Sequence, residues 1–120
     1  MRIDPVEAPA AARSAQGRRP WLPLLAVILR LGGAQAELVR HAERPWASVT
    51  FSGTRHAITL AFPGSAAAAD GEAFIAALPE HEFTIPGQLV ADATVVAVDQ
   101  AVLPAPTMIV EIELLLVEAC

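Results

Sequence analysis

The plainest pattern along the chain is strict alternation of apolar and polar positions, and it occurs in two places. His56, Ile58, Leu60 and Phe62 alternate with Ala57, Thr59 and Ala61, which predicts a strand with one buried face. Met108, Val110, Ile112, Leu114 and Leu116 likewise oppose Ile109, Glu111, Glu113, Leu115 and Val117. The second half of this run is apolar on both parities. That is expected of a strand covered twice, by a helix on one face and by a second layer or a partner subunit on the other. Ala47, Val49 and Phe51 alternate with Ser48, Thr50 and Ser52, a shorter strand with its hydroxyls outward, and Gly53-Thr54 reads as a hairpin connection to the strand at His56. Residues 89–98 are strand-like but alternate poorly, and residues 100–106, with two prolines, link them to the last strand.

A spacing of three and four appears elsewhere. Trp21, Leu24, Leu25, Ile28, Leu31, Leu38, Val39 and Ala42 predict a helix, or two, between Pro20 and Pro45. Gly32-Gly33 interrupts it, at about 1 kcal/mol per glycine relative to alanine. A short helix is expected from residue 66 or 70 to 78, with Phe74, Ala77 and Leu78 inward and Pro79 as the stop. Ile85-Pro86-Gly87-Gln88 has proline and glycine at the central positions of a type II turn. Residues 1–19, rich in Ala, Pro and Arg without an apolar period, predict a flexible tail, which leaves 20–120 as a single domain. The fold class is therefore α+β: a small two-layer domain of order α-β-β-α-β-β, with an antiparallel-rich four-stranded sheet and its helices on one face.

Charge adds an asymmetry. All eight Arg lie between Arg2 and Arg55, and against four carboxylates they give the first 56 residues a formal +4. The remainder carries nine carboxylates and no Lys or Arg, so the chain is −5 overall. An acidic second half without clustered cations argues against a nucleic-acid surface. It also leaves a surface that suits a basic protein partner. Lys is absent and Ala fills 25 positions, a bias of genomic base composition, so the all-Arg set says nothing about bidentate chemistry.

The nine-residue apolar run from Trp21 is too short to cross a bilayer, which needs about 20 residues, and no membrane association is expected. With Arg18-Arg19 before it and Ala34-Gln35-Ala36 after it, the segment 18–36 imitates an export signal. Arg30 cuts the run and the apolar spacing continues past residue 36, so the expectation is a cytoplasmic protein, with export as the alternative. A lone Cys120 supports no internal disulfide.

Scanning for catalytic motifs finds none: no phosphate-binding glycine loop, no His-Glu-x-x-His, no paired-cysteine motif, no Gly-x-Ser-x-Gly. Single residues remain as weak candidates. His56 shares the parity of a buried strand face. His41 follows Glu37 by one helical turn on the predicted first helix. Glu80, His81 and Glu82 contain metal-ligating types, but neighbours on an extended chain point to opposite sides. Glu111 and Glu113 would form a polar strip with Ser48, Thr50 and Ser52 if the faces coincide, and Asp92 and Asp99 read as strand-end or turn residues. No cofactor is expected. The function stays unknown at this level. The leading expectation is a non-enzymatic module that forms a homodimer through the face of its carboxy-terminal strand. The alternative is a small dimeric ligand-binding or acyl-processing enzyme, using His56 with Glu111 or Glu113 and His41.

Overall fold

The computed structural model describes residues 21–33, 35–64, 66–102 and 105–118. Helix α1 is Trp21–Gly32, followed by strands β1 (Glu37–Ala47) and β2 (Ser52–Pro63), helix α2 (Ala67–Ala77), and strands β3 (Gln88–Ala101) and β4 (Thr107–Glu118). The strands form one antiparallel sheet in the order β1-β2-β4-β3, and the helices cover one of its faces. The class and element order are those the pattern predicts. The predicted tail at residues 1–19 and Cys120 lie outside the described residues.

The alternating runs became the two central strands. Ile58, Leu60 and Phe62 of β2, with Val110, Ile112, Leu114 and Leu116 of β4, are all buried, and they meet Leu24 and Ile28 of α1 and Phe74 and Leu78 from α2 and the 3-10 turn after it. Each such side chain contributes about 1.5–3 kcal/mol by leaving water. Phe62 and Phe74 pack with ring centroids 5.6 Å apart at 45°, one of the tilted arrangements aromatic pairs favour. The predicted turn forms as well: Gly87 takes φ +74° and the Gln88 amide donates to the Ile85 carbonyl at 3.0 Å.

Two local expectations are corrected. Residues 37–44, assigned to the first helix by their spacing, belong to β1. The helix stops because Gly33 adopts φ +86°, a left-handed end that glycine favours, and its amide bonds back to the Arg30 carbonyl at 3.3 Å. An edge strand tolerates Pro45, whose missing N–H needs no ladder partner there. The hairpin turn also lies earlier than predicted. Ser48 and Phe51 close it, with the Ser48 amide donating to the Phe51 carbonyl at 2.8 Å and the Phe51 amide to Ser48 Oγ at 3.1 Å. Gly53 sits inside β2 instead, where a Cβ would overlap the backbone carbonyl of Leu116 on β4. Glycine is required by that close approach and not by a turn.

β3 carries register shifts between Val90 and Asp92 and between Val95 and Ala97, which explains why its sequence alternates poorly. Among the described residues no helix is long and apolar enough to cross a membrane.

Candidate functional site

Residues paired across an antiparallel ladder share a face, so the register sorts the candidates into two groups. His56 belongs with Ile58 on the helix-covered face. Opposite it on β1 stands Glu43, and opposite Ile58 stands His41. His41 Nε2 and His56 Nδ1 are 2.9 Å apart. The ring centroids are 5.2 Å apart and the planes differ by 17°. A nitrogen contact that short with centroids that far apart means the imidazoles lie edge to edge, nearly coplanar, sharing one proton between them.

Trp21, the first residue of α1, roofs this pair. Its ring stacks on His41 at 3.5 Å and 6°, and lies 6.3 Å from the His56 ring at 11°. His56 is 1% exposed, and its Nε2 is buried without a hydrogen-bond partner. Glu43 Oε1 reaches to 3.8 Å from His41 Nε2 at the solvent edge. Burial lowers the His41 imidazole from 6.5 to about 4. Burial, then the charge His41 would carry, lowers His56 to about 4 as well. Desolvation outweighs the nearby Glu43 carboxylate, and both rings are neutral at pH 7. Of the metal-ligating side chains among the described residues, His41, Glu43 and His56 bring their donor atoms within 4.8 Å of one another.

Among the described residues no element covers the opposite face of the sheet. Five ladder rows cross it from β1 to β3: Glu37, Ala61, Ile109, Asp99; then Arg40, Thr59, Glu111, Ala97; then Ala42, Ala57, Glu113, Thr94; then Arg44, Arg55, Leu115, Asp92; and last Trp46, Gly53, Val117, Leu89. Small side chains at Ala42 and Ala57 leave a shallow depression between the arginines and the glutamates. The sequence asymmetry has become a spatial one: apart from Glu37 at one end of β1, the face is basic over β1 and β2 and acidic over β4 and β3. Among the described residues a single loose pair, Arg55 Nη1 to Glu113 Oε1 at 4.0 Å, crosses the boundary.

The structure therefore joins two of the predicted candidates and separates others. His41 and His56 meet, by strand pairing and not from a helix. Glu111 and Glu113 are on the other face from His56, whose partner on β4 is Leu114, so that acid–base pairing does not form. The hydroxyl strip does not form either: Ser48 and Thr50 belong to the turn region, and Ser52 Oγ donates to Glu118 Oε1 at 3.2 Å. Asp92 accepts from its neighbour Thr94 at 3.2 Å, and Asp99 is exposed near the end of β3. Glu80, His81 and Glu82 are exposed, with the His81 ring edge-on to Phe83 at 4.8 Å. Sequence reasoning missed Trp21 and Glu43 in the histidine cluster and Arg40, Arg44 and Arg55 on the open face. The arginines carried a signal, since alternate residues of one strand share a face. Comparison of the chain with protein-family models, with curated proteins and with solved structures finds no match.

Proposed function

We propose that this protein is a self-associating module whose two copies meet through their uncovered sheet faces. The observation that carries this reading is the division of that face into a basic half, with Arg40, Arg44 and Arg55, and an acidic half, with Glu111, Glu113 and Asp92. A two-fold axis parallel to the strands and midway between β2 and β4 turns one sheet onto another so that β1 faces the partner's β3. Arg44 then lies over the partner's Asp92, Arg40 over the partner's Ala97 one strand from Glu111, and Arg55 over the partner's Leu115 one strand from Asp92, so the basic half faces the acidic half as an isologous interface requires. The extent also fits. Four strands about 4.8 Å apart and about twelve residues long at about 3.3 Å each give a face of roughly 750 Å², near the about 800 Å² per partner of a standard interface. Leu89, Ile109 and Leu115 add apolar area to it.

Sedimentation of two charge-reversed variants tests this. Arg40→Glu with Arg44→Glu leaves Arg55 as the one basic residue among these positions, and Glu111→Arg with Glu113→Arg leaves Asp92 as the one acidic residue among them. Each variant alone is expected to be monomeric, and an equimolar mixture is expected to restore a dimer that high salt weakens. A wild-type chain that stays monomeric at micromolar concentration, or variants that dimerise as well as wild type, overturns the proposal and leaves the acidic half to a basic partner of another kind.

A further inference from the structure

We infer that His41, Glu43 and His56 form a binding site for one divalent first-row transition cation, such as zinc, open to solvent on the Glu43 side. Two imidazole nitrogens and one carboxylate oxygen are the donor types that borderline cations select, and a hard cation such as Mg²⁺ would instead want an oxygen shell. Donor atoms of the three residues lie within 4.8 Å of one another, with His41 Nε2 2.9 Å from His56 Nδ1 and 3.8 Å from Glu43 Oε1. Metal–nitrogen bonds of about 2.0–2.1 Å at a tetrahedral angle place two nitrogens about 3.3 Å apart. From their 2.9 Å contact the imidazoles need to part by a few tenths of an ångström, and each must turn by roughly 35° relative to the line joining the facing nitrogens, because those nitrogens now point at one another and must converge on one metal. His41 is the ring that moves, because it sits on the edge strand while His56 is held in the core.

Proton balance permits the exchange. Each neutral ring carries one proton, and one of the two lies between the facing nitrogens. On metal binding that proton shifts to the outer nitrogen of its own ring, His41 Nδ1 or His56 Nε2, and none need leave the pair. His56 Nε2 is already buried without a partner, so the present arrangement does not satisfy this imidazole fully. Three protein donors leave coordination positions for water or an exogenous ligand, the mark of an open site and not of a closed structural one. Trp21 over His41 closes the apolar side and supplies an optical reporter.

Titration of the full chain with Co²⁺ and Zn²⁺ tests the inference, in a Cys120→Ser background that removes the competing thiol. Expected are one equivalent bound at micromolar metal, a Co²⁺ visible spectrum, quenching of tryptophan fluorescence by Co²⁺, and a rise in Tm with Zn²⁺. His41→Gln is expected to weaken binding at least about 100-fold, the upper end of what losing a supporting hydrogen bond alone costs at a metal site. Glu43→Gln weakens it at least about 10-fold on the same scale, and His81→Ala leaves it unchanged. No saturable binding to the parent chain, or binding unaltered in His41→Gln and Glu43→Gln, overturns the inference. Circular dichroism checks that both variants fold, and should His41→Gln fail to, the parent titration and Glu43→Gln decide, since Glu43 is at the exposed edge.

Discussion

The indole of Trp21 lies flat on the imidazole of His41, 3.5 Å between centroids and 6° from parallel. This one contact ties the start of the first helix to the edge strand and takes a titratable ring out of water. Trp21→Ala should therefore return the His41 pKa from about 4 toward 6.5. An NMR titration of the imidazole protons reads it; a pKa still near 4 would mean that the strand neighbours, and not the indole, keep water away.

Acid should unfold the protein in a defined window. Both histidines have a pKa of about 4 in the folded chain and 6.5 when exposed, so between those values the unfolded state binds more protons. Stability is complete above pH 6.5, falls as the pH drops toward 4, and is then insensitive to these groups. The shift at His56 alone corresponds to a loss on the order of 3 kcal/mol, at about 1.4 kcal/mol per pKa unit. Urea midpoints measured from pH 7.5 to 4 check this, and His41→Gln should flatten the curve. A flat wild-type curve would contradict it.

Core truncation should be costly at Phe74. The ring is fully buried between α2 and the sheet, against Phe62. Phe74→Ala is expected to lose about 3–5 kcal/mol, the range for emptying a buried aromatic site, as read by chemical denaturation. A loss below about 1 kcal/mol would mean that the two layers collapse to fill the space.

Two glycines predict opposite tolerances. At Gly53 an added methyl overlaps the Leu116 carbonyl, a backbone atom that moves only if the β2–β4 ladder moves. At Gly71 it overlaps the sulfur of Met108, a buried but flexible side chain that can turn about its own bonds. Gly53→Ala should lower stability by more than about 2 kcal/mol. Gly71→Ala should cost far less, since alanine returns about 1 kcal/mol of helix propensity. Thermal unfolding of the pair decides, and equal losses would refute the distinction.

Most of the architecture was legible because β2 and β4 bury one face completely, so the core itself wrote their alternation. The stretch from Glu37 to Ala47 was not legible, and the reason is physical. As an edge strand it places His41 and Glu43 toward the helices and Arg40, Ala42 and Arg44 away from them, so no hydrophobic alternation marks it. Leu38, Val39 and Ala42 then happened to extend the helical spacing that begins at Trp21. Misplacing His41 on a helix hid its meeting with His56, which only the pairing of Glu43 with His56 and of His41 with Ile58 creates. The candidate site was legible as isolated residues and illegible as a cluster.

The strand order has a kinetic consequence. β1 and β2 are joined by a tight turn, and β3 and β4 by a short loop, so each outer pairing is a local hairpin of the kind that closes in about 1–10 μs. The central seam is different: it pairs Gly53 with Val117 and Pro63 with Thr107, ends that meet only after α2 and a whole hairpin have been looped out. The rate of folding is therefore set where the sheet is most regular, at the β2–β4 boundary between its basic and acidic halves. Substitutions there should slow folding, while substitutions in the outer strands chiefly hasten unfolding.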